Sequence, residues 1–398
     1  MSARAHVAAQ PIGGAFLTRG VAIVGAFAAA GAIAILWRLV YGLGAATALN
    51  DGYPWGLWIA FDVVTGTALA CGGYAMGILV YVMNRGQYHP LVRPALLTSA
   101  FGYTLAGVSV GLDVGRYYSL WKVPLYFWHW NLNSVLLEVA LCIMAYTGVM
   151  WLELSPAFLE RGLTARSPCI RRFSERALPI VDKSLLWLIA LGLLLPTMHQ
   201  SSLGSLILLA GPRLHPLWNT PFIPLLFLIS CVGMGFAAVV IEGALSSLAT
   251  RRQPETRMLA NLGRAVVPIL VAFIVLRLAD LVWRGQLAAL FAFDHYSVMS
   301  LIEFALFIAA PLMLATDAQR RNPGNLFRAA MVLVLAGGLY RIDAFLVAFN
   351  PGPAWHYFPS VGEIFVTVGL VSLEILGYIA IVKYFPILSA QPRPAAAR

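Results

Sequence analysis

The chain has 398 residues, of which 60% are hydrophobic and only 11% are charged, and its mean hydropathy is +0.80. This composition excludes a water-soluble globular protein, which needs a largely polar surface. The formal net charge of +10 could attract nucleic acid, but the basic residues lie in short segments between apolar stretches. Membrane topology and anionic lipid head groups explain that charge better, so we expect membrane lipid and no nucleic acid as a partner.

Ten apolar stretches follow one another along the chain, and each reaches or approaches the about 20 residues that cross a bilayer as a helix. They lack the alternation of membrane strands, so we predict an all-α polytopic membrane protein with ten transmembrane helices. The predicted spans are residues 20–43, 56–83, 95–116, 131–152, 182–199, 222–248, 265–287, 297–316, 326–348 and 359–385.

Lys and Arg are distributed unequally between the two sides of these spans. Of the 27, 20 lie in the two terminal segments and the even-numbered loops, four lie in the odd-numbered loops, and three (Arg38, Arg277 and Arg341) lie within spans. Because cytoplasmic loops are enriched in Lys and Arg, both termini are predicted to be cytoplasmic. The first apolar run is too long for a cleavable signal peptide and is predicted to remain as a membrane anchor.

The predicted loops on the side opposite the termini are rich in aromatic residues, Pro and His. They are DGYPWG at 51–56, YYSLWKVPLYFWHWN at 117–131, LHPLWNTP at 214–221 and NPGPAWHYFP at 350–359. An interfacial belt of Trp and Tyr explains part of this pattern. The 117–131 segment is more aromatic than a belt requires, which favours a surface docked against another protein.

Ionisable residues inside the spans are concentrated toward the outer side, the side opposite the termini. Charges in a bilayer are costly, and they mark either function or buried ion pairs. We therefore predict a polar pocket in the outer half of the membrane, lined also by Asn131, Asn133 and His129. The charged residues at this depth are Arg38, Asp62, Asp113, Arg116, Glu138, Glu303, Arg341, Asp343 and Glu363, with Arg277 and Asp280 closer to the middle.

Two pairs of these charges have the spacing of a salt bridge on one helix face. Arg277 and Asp280, like Asp113 and Arg116, are three residues apart. Residues at this spacing are neighbours on a helix surface, where opposite charges attract. For these four residues a structural ion pair is the favoured interpretation over a chemical role.

Three carboxylates have no such partner. Glu138 has no basic residue within its predicted span, so we favour a functional role for it. Glu242 and Glu374 lie deeper, nearer the cytoplasm. A buried carboxyl group can take up and release a proton, so these two residues are candidates for a proton relay. Alternatively, each is a neutral acid that is hydrogen-bonded to a neighbouring helix, and the sequence leaves both interpretations open.

The sequence contains no recognisable metal or redox-cofactor site. Its four cysteines are scattered without a CxxC motif, so no iron–sulfur cluster is expected in this chain. A b-type haem between helices needs two histidines that face each other within spans. Among the seven histidines only His199 approaches a span interior, at the outer end of the fifth span, so no haem is expected.

Long motifs along the whole chain carry a family resemblance. They include YPWGLWIAFD (53–62), NRGQYHPLVRPALL (84–97), DVGRYY (113–118), LPTMHQSSLGSL (195–206), HPLWNTP (215–221) and LVAFNPG (346–352). The sequence resembles the NrfD/PsrC superfamily of quinone-linked membrane subunits, and it is especially similar to the HybB-type subunits of nickel–iron hydrogenases. The resemblance implies an NrfD-like pair of four-helix bundles at 20–316, two additional transmembrane helices at 326–385, and cytoplasmic tails at 1–19 and 386–398.

Members of this superfamily hold no haem, and they pass electrons to quinone from a ferredoxin-like iron–sulfur subunit docked on the periplasmic face. The resemblance therefore implies menaquinone or ubiquinone as cofactor and the bacterial cytoplasmic (inner) membrane as location. It also implies the small (iron–sulfur) and large (nickel–iron) hydrogenase subunits as further partners. By resemblance, the family's polar motifs around the quinone and the proton route include Asp62, Asp113, Arg116, Glu138, His199 and Glu242.

Together these expectations predict hydrogen:quinone oxidoreduction, with proton translocation as an added possibility. The predicted quinone pocket consists of Asp62, Asp113, Arg116, His129, Asn133 and His199, and the predicted proton-transfer residues are Glu138, Glu242 and Glu374. Three alternatives stay open: a passive anchor of the complex, a membrane subunit of another NrfD-type reductase, and a transporter. The position of the charges toward one face rather than the midplane argues against the transporter.

Overall fold

A computed structural model describes residues 9–250 and 256–389. Over these ranges ten helices are long and apolar enough to cross a membrane, and no extended strand occurs in them, which confirms the predicted fold class. The helices are α1 Arg19–Tyr41, α2 Trp58–Val82, α3 Gly86–Asp113, α4 Val135–Leu163, α5 Pro168–Leu208, α6 Ile223–Thr250, α7 Thr256–Trp283, α8 His295–Met313, α9 Pro323–Val347 and α10 Val361–Tyr384. Six residues used in the sequence analysis lie outside the described ranges: Arg4, His6, Arg251, Arg252, Arg393 and Arg398.

Several helices are longer than the predicted spans, and α5 differs most. The apolar run predicts 182–199, whereas the helix covers 41 residues from Pro168 to Leu208 and corresponds to about 60 Å. Apolar content identifies only the part of a helix that lies in hydrocarbon. The backbone hydrogen bonding of α5 continues beyond that part, through polar residues at both ends of the helix. Polar residues of the SSLGSL segment at 201–206 are therefore helical rather than part of a loop.

Helix α2 is irregular and is the most buried span. It is π-helical over Trp58–Thr65 and again over Ile78–Val82, and regular helix is interrupted at Ala70 and Cys71. Irregular backbone is tolerated at membrane depth where protein surrounds it. In α2, 78% of the apolar window is buried inside the bundle, which meets that condition.

The helices pack in two consecutive groups. In the first, α3 contacts α2 and α4, and α4 packs along α5; in the second, α6, α7, α8 and α9 contact one another. Helix α2 also contacts α6 and α9, so it connects the groups. Helix α1 pairs with α10, and a Cβ at Gly31 would overlap the backbone of Gly369, so glycine at both positions allows this close approach.

The two described chain ends lie together at one end of the bundle, which we call the terminal face. There the backbone N–H of Gln10 donates to the carbonyl of Leu388 at 3.0 Å. The loops 42–57, 114–134, 209–222, 284–294 and 348–360 form the opposite end, which we call the far face. The positive-inside rule predicts that the terminal face is cytoplasmic, and this orientation stays a prediction.

Candidate functional site

Buried and half-buried polar side chains form a group near the far face, between α1, α2, α3 and α10. We call this group the far-side cluster; its members are Arg38, Asp62, Ser109, Asp113, Tyr357, Glu363 and Thr367. Asp62 lies at its base, where its Oδ2 accepts hydrogen bonds from Ser109 at 3.1 Å and from Thr367 at 3.0 Å. Asp62 therefore ties α2 to both α3 and α10.

Asp113 does not form the expected ion pair with Arg116, so that prediction is wrong. Helix α3 ends at Asp113, so Arg116 lies beyond the helix and is exposed, and the helical i,i+3 spacing does not apply. Arg38 of α1 takes the position at the helix end instead. Its Nε donates to the carbonyl of Leu112 at 2.8 Å, and its Nη2 donates to the carbonyl of Val114 at 2.9 Å.

Asp113 has an unsatisfied atom inside this cluster. Its Oδ1 is buried and has no hydrogen-bond partner within the described part of the chain. The charges that act on it come from Glu363 and Arg38. Because buried carboxylate oxygens are ordinarily hydrogen-bonded, Asp113 is a candidate to contact a bound molecule.

Glu363 is held at the start of α10 by a dense set of donors. Its Oε1 accepts from the Tyr357 hydroxyl at 2.5 Å, and its Oε2 accepts from the backbone N–H groups of Ser360 at 2.8 Å and Ala48 at 2.9 Å. Burial and the neighbouring Glu363 raise the pKa of Tyr357 well above its ordinary value. The phenol therefore stays protonated at physiological pH and remains a hydrogen-bond donor.

A second group lies deeper, and we call it the central cluster: Thr67, Tyr103, His199, Gln200, Ser230 and Arg341. Arg341 is fully buried; its Nη1 donates to Ser230 at 2.9 Å, and its Nη2 donates to the carbonyl of Phe227 at 2.8 Å and to Gln200 Oε1 at 3.2 Å. No carboxylate lies within ion-pair distance of Arg341 over the described ranges. Neutral acceptors thus surround a positive charge inside the bundle.

His199 belongs to this central cluster rather than to the end of a span. Its ring contacts Tyr103 with a centroid distance of 5.4 Å, and both ring nitrogens are buried with no partner in the described ranges. The adjacent Gln200 donates to Thr67 Oγ1 at 3.0 Å and to Tyr103 Oη at 3.5 Å. Because α5 continues to Leu208, His199 lies inside the protein, deeper than the predicted span end suggests.

Arg277 pairs with Glu303 of α8 and not with Asp280, so the second predicted ion pair is also wrong. The Nη2–Oε2 distance is 2.5 Å, and both side chains are at most 2% exposed. Asp280 is instead bound by Arg284 at 2.6 Å. The carboxyl group of Asp343 is a close electrostatic neighbour of Glu303 and Arg277. We call Arg277, Glu303 and Asp343 the buried ion cluster.

Three of the predicted quinone-pocket residues lie on the surface. Arg116, His129 and Asn133 are exposed in the segment 114–134, which we call the aromatic loop. Phe127 and Trp128 are each 63% exposed there. Of the six predicted quinone-pocket residues, Asp62 and Asp113 thus lie in the far-side cluster and His199 lies in the central cluster, deeper in the bundle. Arg116, His129 and Asn133 lie on the far face. Their role in quinone binding stays a prediction.

The predicted proton-transfer residues occupy two separate regions. Glu138 is half-buried in the first turn of α4, which is capped by the Ser134 side chain. Glu242 of α6 accepts a hydrogen bond from Tyr378 of α10, and Glu374 lies one helical turn before Tyr378 and is half-buried. Glu242 is therefore an acid that is hydrogen-bonded to a neighbouring helix, α10. Proton transfer by Glu138, Glu242 and Glu374 stays a prediction.

Neutral polar residues were missed in the sequence analysis, although their spacing contained a signal. Ser109 lies one helical turn before Asp113, and Thr367 lies one turn after Glu363. A small polar residue one turn from a carboxylate in an apolar helix lies on the same face. That pattern would have identified Ser109 and Thr367 as polar residues of the site. It would not have identified Asp62 as the acceptor of their hydrogen bonds, because that depends on helix packing.

Residues 45–350 match the model of the NrfD family, described as polysulphide reductase, NrfD. The chain belongs to the NrfD family. The match runs from the loop before α2 to the loop after α9, so it includes both helix groups and the loops of the far face between them. The resemblance seen in the sequence motifs is thereby confirmed, and the protein is a multi-pass protein of the inner membrane.

Several known proteins are similar to this chain over most of their length. The chain is 44% identical to the probable Ni/Fe-hydrogenase 2 b-type cytochrome subunit of Escherichia coli, over 95% of each sequence. It is 25% identical to the menaquinone reductase integral membrane subunit of Nitratidesulfovibrio vulgaris, over 88% of this chain and 86% of the relative. It is 21% identical to a selenate reductase subunit of Mesobacillus selenatarsenatis, over 91% and 92%. These relatives are thus subunits of different oxidoreductases.

The name b-type cytochrome given to the E. coli relative makes haem ligation in this NrfD-family chain worth testing. Among the histidines in the described ranges, His199 is buried within a span, whereas His89, His129, His295 and His356 are exposed. His215 is half-buried at the far face, and burial lowers its pKa, so it is neutral at physiological pH. The opposing pair that a b-type haem requires is not formed by these residues.

We therefore expect the purified chain to contain no haem. A dithionite-reduced minus oxidised absorbance spectrum should show no haem band, and a pyridine haemochrome assay should give far less than one haem per chain. The control is a two-histidine membrane cytochrome purified in the same detergent. Stoichiometric haem that disappears in a His199→Leu variant would contradict the prediction.

Proposed function

We propose that this chain is the quinone-reducing membrane subunit of a periplasm-facing nickel–iron hydrogenase complex. A ferredoxin-like iron–sulfur subunit docks on the far face, which is periplasmic, and the hydrogenase small and large subunits deliver electrons from hydrogen. The chain is not catalytic alone. Support comes from the E. coli relative named as a hydrogenase subunit and the N. vulgaris relative named as a menaquinone reductase subunit.

The observation that carries this proposal is the contact between the aromatic loop and the far-side cluster. Arg38 binds the carbonyl of Val114, the first residue of the loop, at 2.9 Å, and its guanidinium carbon lies 5.6 Å from the ring centre of Tyr117. The same Arg38 acts electrostatically on Asp113 inside the cluster. A partner seated on the aromatic loop would thus be separated from the acids of the far-side cluster by a single side chain, Arg38.

The residues of this region fit a quinone head group. Such a group presents two carbonyl oxygens that need hydrogen-bond donors, and its reduction consumes protons. When protonated, Asp113 can donate from a buried oxygen that has no partner in the described ranges, and neutral His199 can donate from one of two buried ring nitrogens that have none there. Buried polar atoms of this kind favour a bound polar molecule over an apolar one. Menaquinone and ubiquinone both satisfy this pattern.

Quinone, when bound, accepts two electrons and two protons. In our proposal Asp113 and Glu138 hold protons at the far side of the pocket, and Asp62, fixed by Ser109 and Thr367, keeps α2, α3 and α10 in place around it. Arg38 stabilises negative charge that develops near Asp113. Glu242 and Glu374 are two candidates for a proton route inward from the terminal face. If the protons for this reaction come from that face, turnover moves charge across the membrane.

Hydrogen-dependent reduction of a quinone and of a soluble viologen dye, in membranes with and without this chain, tests the proposal. We expect loss of the chain to abolish quinone reduction while viologen reduction persists, because viologen takes electrons directly from the hydrogenase head. Persistence of both activities would mean that another chain reduces quinone. Loss of both would make this chain an assembly factor or passive anchor, and either result overturns the proposal.

A further inference from the structure

A narrow crevice opens between α2, α3, α4 and α5, on the side of the bundle nearer the terminal face. It leaves room for about one water molecule, and three of its lining residues are glycines. The lining includes Gly73, Gly77, Tyr81, Tyr146, Glu153 and Gly192, and Glu153 is the one charged side chain among the lining residues. A Cβ at Gly192 would lie 3.1 Å from Glu153 Oε2, so glycine there keeps the carboxylate accessible.

Glu153 is an acid without a partner in the described ranges, and it lies in the half of α4 nearer the terminal face. It is half-buried, and its carboxylate has no hydrogen-bond or ion-pair partner in the described ranges. Leu163, the end of α4, lies about 15 Å further toward the terminal face, so Glu153 is near the edge of the hydrocarbon layer. Tyr81, at the mouth of the crevice, is 37% exposed. An unpartnered carboxylate at this depth is costly unless it exchanges protons or contacts water.

The inner end of the crevice leads to the central cluster. Tyr146 lines the crevice, and its ring contacts Tyr103 with a centroid distance of 4.6 Å. The Tyr103 hydroxyl accepts a hydrogen bond from Gln200, which in turn accepts one from Arg341. Tyr146 therefore adjoins both the crevice that Glu153 lines and, through its ring contact with Tyr103, the cluster that contains His199. Glu242 is hydrogen-bonded to Tyr378, between α6 and α10, and does not line this crevice.

We propose that Glu153 is the proton-uptake residue on the terminal face and that the crevice admits the water molecule that delivers each proton. This inference rests on the proposed function, which supplies the reaction that consumes the protons. The Glu153 carboxylate takes a proton from water at the terminal face, and the resulting acid releases it toward Tyr146 and Tyr103. Two such transfers match the two electrons that the iron–sulfur partner delivers, so one quinone becomes one quinol and no other oxidant or reductant is needed.

The test uses the purified complex in liposomes with the terminal face inside and a pH indicator in the lumen. With hydrogen and quinone, the wild-type complex should make the lumen alkaline. We expect Glu153→Gln to slow quinone reduction and lumen alkalinisation together by at least tenfold, with viologen reduction unchanged. Glu153→Asp should recover part of both rates, because it restores a titratable group. Glu175→Gln, which changes an exposed acid paired with Arg171, is the matched control and should behave as wild type.

Three outcomes overturn the proposal. Wild-type quinone reduction and alkalinisation in Glu153→Gln would mean that protons enter elsewhere, and a parallel loss in Glu242→Gln would then assign entry to that residue. Loss of viologen reduction in Glu153→Gln would assign Glu153 a structural role. A wild-type complex that reduces viologen but not quinone would overturn the proposed function itself, and the proposal with it.

Discussion

Replacing Arg277 with Leu should destabilise the protein by about 3–5 kcal/mol, the cost that follows when one partner of a buried ion pair is removed. Glu303 is fully buried, and its closest cation is Arg277 at 2.5 Å. Asp343 is a second carboxyl group beside this pair. Without Arg277, these acids would have to bind protons or draw water into the bundle. The measurement is the midpoint of thermal unfolding of the detergent-purified chain.

Two controls separate this charge effect from a general loss of arginine. Arg328→Leu removes an exposed arginine whose Nε bonds the carbonyl of Gly324, and it should leave the midpoint nearly unchanged. The double variant Arg277→Leu/Glu303→Leu should regain much of the lost stability, because a buried pair replaced by apolar residues is often neutral. An Arg277→Leu chain as stable as wild type, or a double variant that regains nothing, would contradict the assigned pairing.

Replacing Asp113 with Asn should lower hydrogen-dependent quinone reduction by about 100-fold, the lower range for removal of a general acid or base. Asn keeps the shape of the side chain and can occupy the end of α3, but it cannot hold or release a proton. The unpartnered Oδ1 of Asp113 is the atom we expect to contact the quinone head group. The measurement is the rate of hydrogen:quinone activity relative to hydrogen:viologen activity in the same membranes.

Asp51→Asn is the matched control, because Asp51 is an exposed acid on the same face, and it should retain both activities. A full quinone rate in Asp113→Asn would exclude proton transfer by Asp113 and direct attention to Glu138. A parallel loss of viologen reduction would indicate failed assembly. The ratio of the two activities therefore separates a role in the pocket from a role in folding.

Glu153 illustrates a limit of hydropathy-based spans. The predicted fourth span ended at residue 152, which left Glu153 outside the membrane, whereas α4 continues to Leu163 and carries Glu153 into the bundle. Its neighbour Gly192 belongs to α5, where an added Cβ would lie 3.1 Å from Glu153 Oε2. The apolar content of a sequence locates the hydrocarbon boundary only to within one or two helical turns. An error of a single turn is enough to place a carboxylate outside the membrane instead of inside it.

The two ion-pair predictions failed for a related reason. Spacing within one helix made Asp280 the partner of Arg277, but Glu303 on the adjacent helix lies closer and Asp280 binds Arg284. Likewise, Arg38 of α1 occupies the place predicted for Arg116. An i,i+3 pair at a solvated surface gains only a few tenths of a kcal/mol. Cross-helix contacts in a dry interior outweigh that gain.

The fold class, the number of membrane helices, the family and the aromatic character of the far face could all be predicted from the amino-acid sequence. These follow from properties of separate segments: each span must satisfy its own backbone and cover the hydrocarbon. Helix packing fixes which buried charges meet, that Gln200 accepts a hydrogen bond from Arg341 and that Glu153 faces a crevice. Those contacts depend on helix rotation and spacing, which are set by packing such as the contact of Gly31 with Gly369 and which no single segment specifies.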